Sequence, residues 1–162
     1  QMEVYRRALD ALKKPFPEEF PMRREVFVAE TRDEAVRIAA PYLKDRYEVY
    51  QGWGQHKAMP AGDDNLSMEY EELAGNRFLV GSPDDVTEQI ANLHARIGTN
   101  HLIMSIQWAD MPQSQVKETM HLLTERVFPS ATISFFATGY PLTINSTGTF
   151  RDEPILARSM CQ

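Results

Sequence analysis

The chain has 162 residues, 43% hydrophobic and 25% charged, proportions that suit one globular domain with a core of its own. A formal net charge of -6 argues against nucleic acid and anionic membrane surfaces as partners, and no apolar run approaches the roughly 20 residues that span a bilayer. Cys161 is the sole cysteine, so no intrachain disulfide forms, which fits a cytoplasmic location.

Residues 2–13 place Tyr5, Ala8, Leu9 and Leu12 on one face, the spacing of an amphipathic helix. Pro15 and Pro17 stop it. The opening Gln1–Arg7 is polar, unlike a secretory signal, and its direct entry into a helix suggests a start inside a larger protein. Residues 16–22 read as a proline-punctuated loop. Val26-Phe27-Val28-Ala29 is the core of a buried strand. Thr31 followed by Glu34 has capping-box spacing, so a helix starts there. Pro41 should kink that helix or begin a second segment, and Leu43, Tyr47 and Tyr50 continue its apolar side.

Residues 52–75 carry Gly54, Pro60 and Gly62 and little periodicity, as a lid or binding loop would. Glu69–Glu72 reads as a solvated helical turn within it. Phe78-Leu79-Val80 is a second strand. Ser82, Pro83, Asp84 and Asp85 then supply an N-cap, a first helical proline and two carboxylates for the positive end of a helix. Val86, Ile90, Leu93 and Ile97 form its stripe and Gly98 ends it. Residues 101–108 are a third strand. A last helix carries Val116, Met120, Leu123 and Val127 and stops at Pro129. Strands alternating with helices predict βαβ units and a parallel sheet. Residues 130–162 are sparse in charge and lack a helical stripe; they are expected to be a poorly ordered tail in which residues 133–137 can pair as a strand.

Three segments in order resemble the luciferase-like monooxygenase family. They are Val26 to Ala35, a strand with a capped helix; Arg77 to Val86, with its VGSP-acidic-acidic-V run; and His101 to Gln107 followed by Val116 to Pro129. The resemblance covers residues 1–129. It implies a (β/α)8 TIM barrel of which this chain supplies the C-terminal strands and helices, since a whole barrel takes roughly 250 residues. It also implies FMN as cofactor, or the deazaflavin F420 in a sister branch, with a small-molecule substrate and a possible homo-oligomer. The isolated chain is then an incomplete enzyme.

Barrel sites lie at the carboxyl ends of strands, which here are Glu30-Thr31, Gly81-Ser82 and Gln107-Trp108. Gly81-Ser82 offers a helix N-terminus to a phosphate, but Asp84 and Asp85 repel one, so an ordinary N-cap is the expectation. Gln107 and Trp108 are candidates to line a flavin or substrate pocket, or to pack across the barrel end. Arg46, Tyr50 and Trp53 are further candidates. The resemblance places an aromatic side chain near the flavin at the position of Arg46, where this chain has a charge, and a solvated helix face is the alternative. His56, in the long loop, is the histidine to consider for proton transfer, and His56, His94, His101 and His121 show no metal spacing. The functional expectation is oxygenation of a small organic substrate by reduced flavin and oxygen. The alternatives are F420-dependent hydride transfer and a non-catalytic half-barrel acting as an interaction module through its exposed sheet edge.

Overall fold

A computed structural model describes residues 2–60, 62, 64–75, 77–130 and 134–137. Helix α1 (Met2–Ala11) leads to strand β1 (Pro21–Val28), helix α2 (Arg32–Gly52) and a short helix α3 (Tyr70–Ala74). Strand β2 (Phe78–Gly81), helix α4 (Pro83–Ile97), strand β3 (His101–Ser105), helix α5 (Gln113–Leu122) and strand β4 (Ser134–Ala137) follow. All strand pairs are parallel, in the order β2-β1-β3-β4.

Strand β1 serves two partners with different halves of its length. Pro21 to Glu25 pair with β3, whereas Glu25 to Val28 pair with β2. The chain moves one way along the sheet from β1 to β2, then reverses across β1 to β3. Right-handed crossovers put the intervening helices on opposite faces when the direction reverses, and the core divides accordingly. Phe27, Phe78 and Val80 pack with Ala35, Ala39 and Leu43 of α2. Val26, Val28 and Leu79, which alternation turns to the other face, pack with Val86, Ile90 and Leu93 of α4. The last helix spans both sides: Val116 joins the first cluster and Leu122, Leu123 and Val127 join the second.

The parallel α/β sheet matches the sequence reading. Consecutive barrel strands would lie in chain order with every helix outside. Here β1 stands between β2 and β3, helices cover both faces, and the described strands form an open sheet.

Several local expectations change. Helix α2 runs through Pro41 as one element. Pro41 lies on the exposed side, while Ala39 and Leu43 are fully buried and anchor both halves to the sheet. Thr31 Oγ1 does accept the Glu34 amide at 3.2 Å, but the Glu34 carboxylate pairs with Arg37 at 3.8 Å. Strand β1 begins at Pro21, inside the expected loop, because β3 pairs with residues 21–25. The stretch 52–75 is partly anchored: Leu66, Tyr70 and Leu73 are buried, so the turn around Glu69–Glu72 has a core side as well as a wet one. Strand β3 ends at Ser105 rather than at Trp108. A five-residue π-turn, Leu123–Val127, then a 3-10 turn containing Pro129, ends the last helix. Residues 134–137 do pair as a strand; the expectation of a poorly ordered tail otherwise falls on residues outside those described.

Candidate functional site

The six candidate residues fall at two ends of the sheet. At the carboxyl ends, β3 stops opposite Glu25 while β1 continues to Val28. The backbone of Val28 thus has no strand on the β3 side. Thr119 of α5 takes that place: its hydroxyl donates to the Val28 carbonyl at 3.0 Å and accepts from the Val28 amide at 3.4 Å. A reversal of strand order is where open α/β sheets form crevices for ligands. Here Trp108 fills the crevice, 4% exposed, with its ring 6.2 Å from that of Phe27. Its indole N–H is buried without an acceptor. Gln107 beside it is exposed.

The neighbouring strand ends are self-contained. Ser82 accepts from the Asp85 amide, and Asp85 Oδ2 receives the Ser82 amide at 3.0 Å and hydroxyl at 2.6 Å, a complete capping box. The Ser82 hydroxyl is the main reason the Asp85 carboxyl is held below its ordinary range, with Arg32 adding to it and burial opposing. Gly81 permits the motif, since a Cβ there would come within 2.5 Å of Asp85 Cβ. Arg126 holds Glu30 at 2.8 Å. The N-cap expectation for Gly81-Ser82 therefore stands, and its donors are already used.

Arg46, Tyr50, Trp53 and His56 lie at the opposite end. A helix that follows a strand returns antiparallel to it, so the end of α2 comes back beside the amino half of β1. Arg46 Nε is 3.6 Å from Glu25 Oε1, and its guanidinium lies over the Tyr50 ring at 5.3 Å. Tyr47 meets Tyr50 and Phe78 edge-on, at 5.5 and 5.2 Å. Tyr50 is 5.9 Å from Trp53, but Trp53 is 71% exposed and packs on little else. His56 sits in the 3-10 turn Gln55–Ala58, with Nδ1 buried and unpartnered.

A cavity of about 530 Å³ opens here, lined by Arg23, Arg24, Glu25, Tyr47, Tyr50, Gln55, Met59, Leu66 and Arg77. Among its described lining residues, Glu25 is the one carboxylate. It is 6% exposed and shares one oxygen between Arg23 at 3.7 Å and Arg46 at 3.6 Å. Burial, then the charge of Glu25, pushes the Tyr47 hydroxyl up to about 12, so it stays a neutral donor. Burial also lowers Arg24 from its ordinary value, against the pull of Glu25 and Tyr47. This arrangement can bind charge, but it holds no nucleophile with a base in reach.

Sequence reasoning singled out Arg46 but missed Glu25, Arg23 and Arg24. The available signal was the Arg23-Arg24-Glu25 triplet running directly into a buried strand. Charges at the start of a strand usually face solvent; only the return of α2 and the turn after it encloses them. Among the described residues, no three His, Cys, Asp or Glu side chains group to hold a metal, and no helix is long and apolar enough to cross a membrane.

No protein-family model matches the chain. It is 35% identical over 105 residues, 59% of its length, to the 3,6-diketocamphane 1,6-monooxygenase of Pseudomonas putida, and spans 28% of that protein. Among solved structures it resembles the type II Baeyer-Villiger monooxygenase that is the oxygenating constituent of 3,6-diketocamphane monooxygenase from the CAM plasmid of Pseudomonas putida, in complex with FMN. That match has a TM-score of 0.55 at 24% identity, over 82% of this chain and 39% of the other. Monooxygenase RslO1 from Streptomyces bottropensis matches with a TM-score of 0.51 at 24% identity, over 79% of this chain and 36% of the other. The chain shares its fold with a part of these proteins.

Proposed function

We propose that this chain is the carboxyl-side portion of a flavin-dependent monooxygenase that uses FMN, and that it supplies one wall of the flavin or substrate site. The observation that carries the reading is its likeness to an FMN-bound type II Baeyer-Villiger monooxygenase over 82% of its length. The sequence identity to a monooxygenase supports the same reading. When bound, the flavin supplies the redox chemistry with oxygen, which no protein side chain provides.

The carboxyl strand ends fit part of such a site. Trp108 closes the wall by packing on Phe27, and Gln107 brings an exposed amide able to donate and accept. They offer no phosphate cradle, because the donors of Ser82 are held by Asp85. The contribution of this segment is thus to bind and orient one edge of a ring and to keep water from it, while the phosphate is held elsewhere in a larger protein. The chain spans only about two fifths or less of the structures it matches, which favours a portion over a whole enzyme.

Titration of the purified chain with FMN, followed by flavin fluorescence, tests this. Saturable quenching is expected, weakened in Trp108→Phe. A chain with intact helical circular dichroism that leaves FMN fluorescence unchanged would mean that the flavin site lies outside this segment, and would overturn its role as a wall of that site. Preference for F420 in the parallel titration would move the assignment to the hydride-transfer branch.

A further inference from the structure

We propose that residues 106–112, the strap between β3 and α5, form a gate in which Trp108 is a displaceable plug: it swings out of the crevice at the carboxyl end of β1 and opens that crevice. What the gate admits rests on the flavin reading; the motion itself does not.

The first argument is placement. β3 stops opposite Glu25 while β1 runs on to Val28, so on that side the space beyond Ser105 is filled by a side chain and not by a strand. Trp108 occupies it, packed on Phe27 with the ring centroids 6.2 Å apart. The residues on both sides of Trp108 are exposed: Gln107 before it, Ala109 and Asp110 after it. The ring can therefore move on short surface links without dragging a strand or a helix. Met111 is 5% exposed and stays in the core, which confines the swing to the residues before it.

The second argument is unmet polar groups. Trp108 is 4% exposed, yet its indole N–H has no acceptor. An indole nitrogen can only donate, so the closed position keeps a donor from water without replacing the bond. The first turn of α5, into which the strap leads, carries a group of the complementary kind: Gln115 Oε1 is also buried and unpartnered. A donor and an acceptor this close in the chain that do not meet mean that packing, with no hydrogen-bond latch, holds the ring. Burial of the indole on Phe27 keeps the closed form dominant, and hydration of its N–H favours the open one.

The third argument is the turn. The Met111 amide donates to the Trp108 carbonyl at 3.3 Å, which makes Asp110 the third residue of a four-residue turn. Asp110 has a φ of 63°, and a third position of positive φ favours glycine or asparagine. The swing of Trp108 opens this turn and releases its strain. A strained connection beside a crevice is where a moving element is expected.

The test is hydrogen exchange of the Trp108 indole N–H, followed by NMR in Trp53→Phe. The chain has two tryptophans, and Trp53 is 71% exposed and outside the strap, so this variant leaves one indole signal and an unaltered gate. The open form is a minor state of about 0.1–10%, so a protection factor of about 10–1,000 is expected. The amides of Leu43 and Val86, both fully buried, should be protected far more strongly. Low urea should leave the indole rate unchanged, because a local opening exposes little surface. Adding Asp110→Asn, which suits the left-handed turn better, should slow indole exchange several-fold and leave the core amides as they were. An indole as protected as Leu43 and Val86, a rate that climbs with urea as theirs does, or no slowing in Asp110→Asn would overturn the proposal. The measurement uses no flavin, so a failed FMN titration leaves the gate standing, and a closed gate leaves the titration to decide the flavin reading.

Discussion

Thr119 does the work of a missing strand. It is fully buried, and its hydroxyl serves both backbone groups of Val28 where β3 has already ended. Replacing it with valine keeps the shape but strands a buried amide and carbonyl. Thr119→Val should therefore lose about 1–3 kcal/mol of stability, read as a lower midpoint in urea. A midpoint equal to the parent's would mean that water reaches Val28 and that the crevice beside Trp108 is wetter than described. Glu25 is the contrasting residue: its burial among arginines puts a polar cluster inside the sheet end, where hydrophobic pattern alone predicts a plain strand start.

Helix α2 is the element whose behaviour departs most from local rules. A proline in a helix interior removes a hydrogen bond and crowds the preceding turn, yet α2 continues through Pro41 because Ala39 and Leu43 are locked against the sheet. The local cost persists within the intact helix. Pro41→Ala should thus raise stability by about 1–2 kcal/mol, less than the full helix penalty because alanine also loosens the unfolded chain. A drop in melting temperature would contradict it. Helix α4 follows its local signals throughout, and its cap carries a pH dependence. Asp85 has a folded pKa below its unfolded value, so its contribution is present above the unfolded value and is lost as pH falls through the folded one. Urea midpoints taken from pH 6 down past about pH 4 should fall more steeply for the parent than for Asp85→Asn. Parallel profiles would mean the capping box does not control acid stability.

At the scale of the molecule, β2 is one of the two edges of the sheet formed by the described strands, although its four residues are all buried. Edge strands invite pairing with another chain. A groove of about 700 Å³ runs beside β2, with Tyr70, Asp85 and Gln89 in its walls. Gln89 guards it by donating to the Val80 carbonyl at 3.1 Å. Gln89→Ala frees that carbonyl, and sedimentation should then detect more self-association than in the parent. Unchanged sedimentation at high concentration would show that the flanking helices alone protect the edge.

Local signals in the amino-acid sequence determined the elements of this protein. Val26–Ala29, Phe78–Val80 and Leu102–Met104 read as strands because β-branched and large apolar side chains were bounded by caps and breakers. Ser82, Pro83 and Gly98 marked the ends of α4 because capping acts over three or four residues. The alternation of strand and helix was enough to require a parallel sheet. What only the tertiary structure decided was the order β2-β1-β3-β4, the closure of Trp108 over the crevice, and the return of α2 that brings Arg46 and Tyr50 to Glu25 rather than to the carboxyl strand ends. These depend on contacts between residues far apart in the chain. The 21-residue length of α2, some 30 Å at 1.5 Å per residue, carries its last turns past the eight-residue β1 to the opposite end of the sheet. No periodicity within either segment records that meeting.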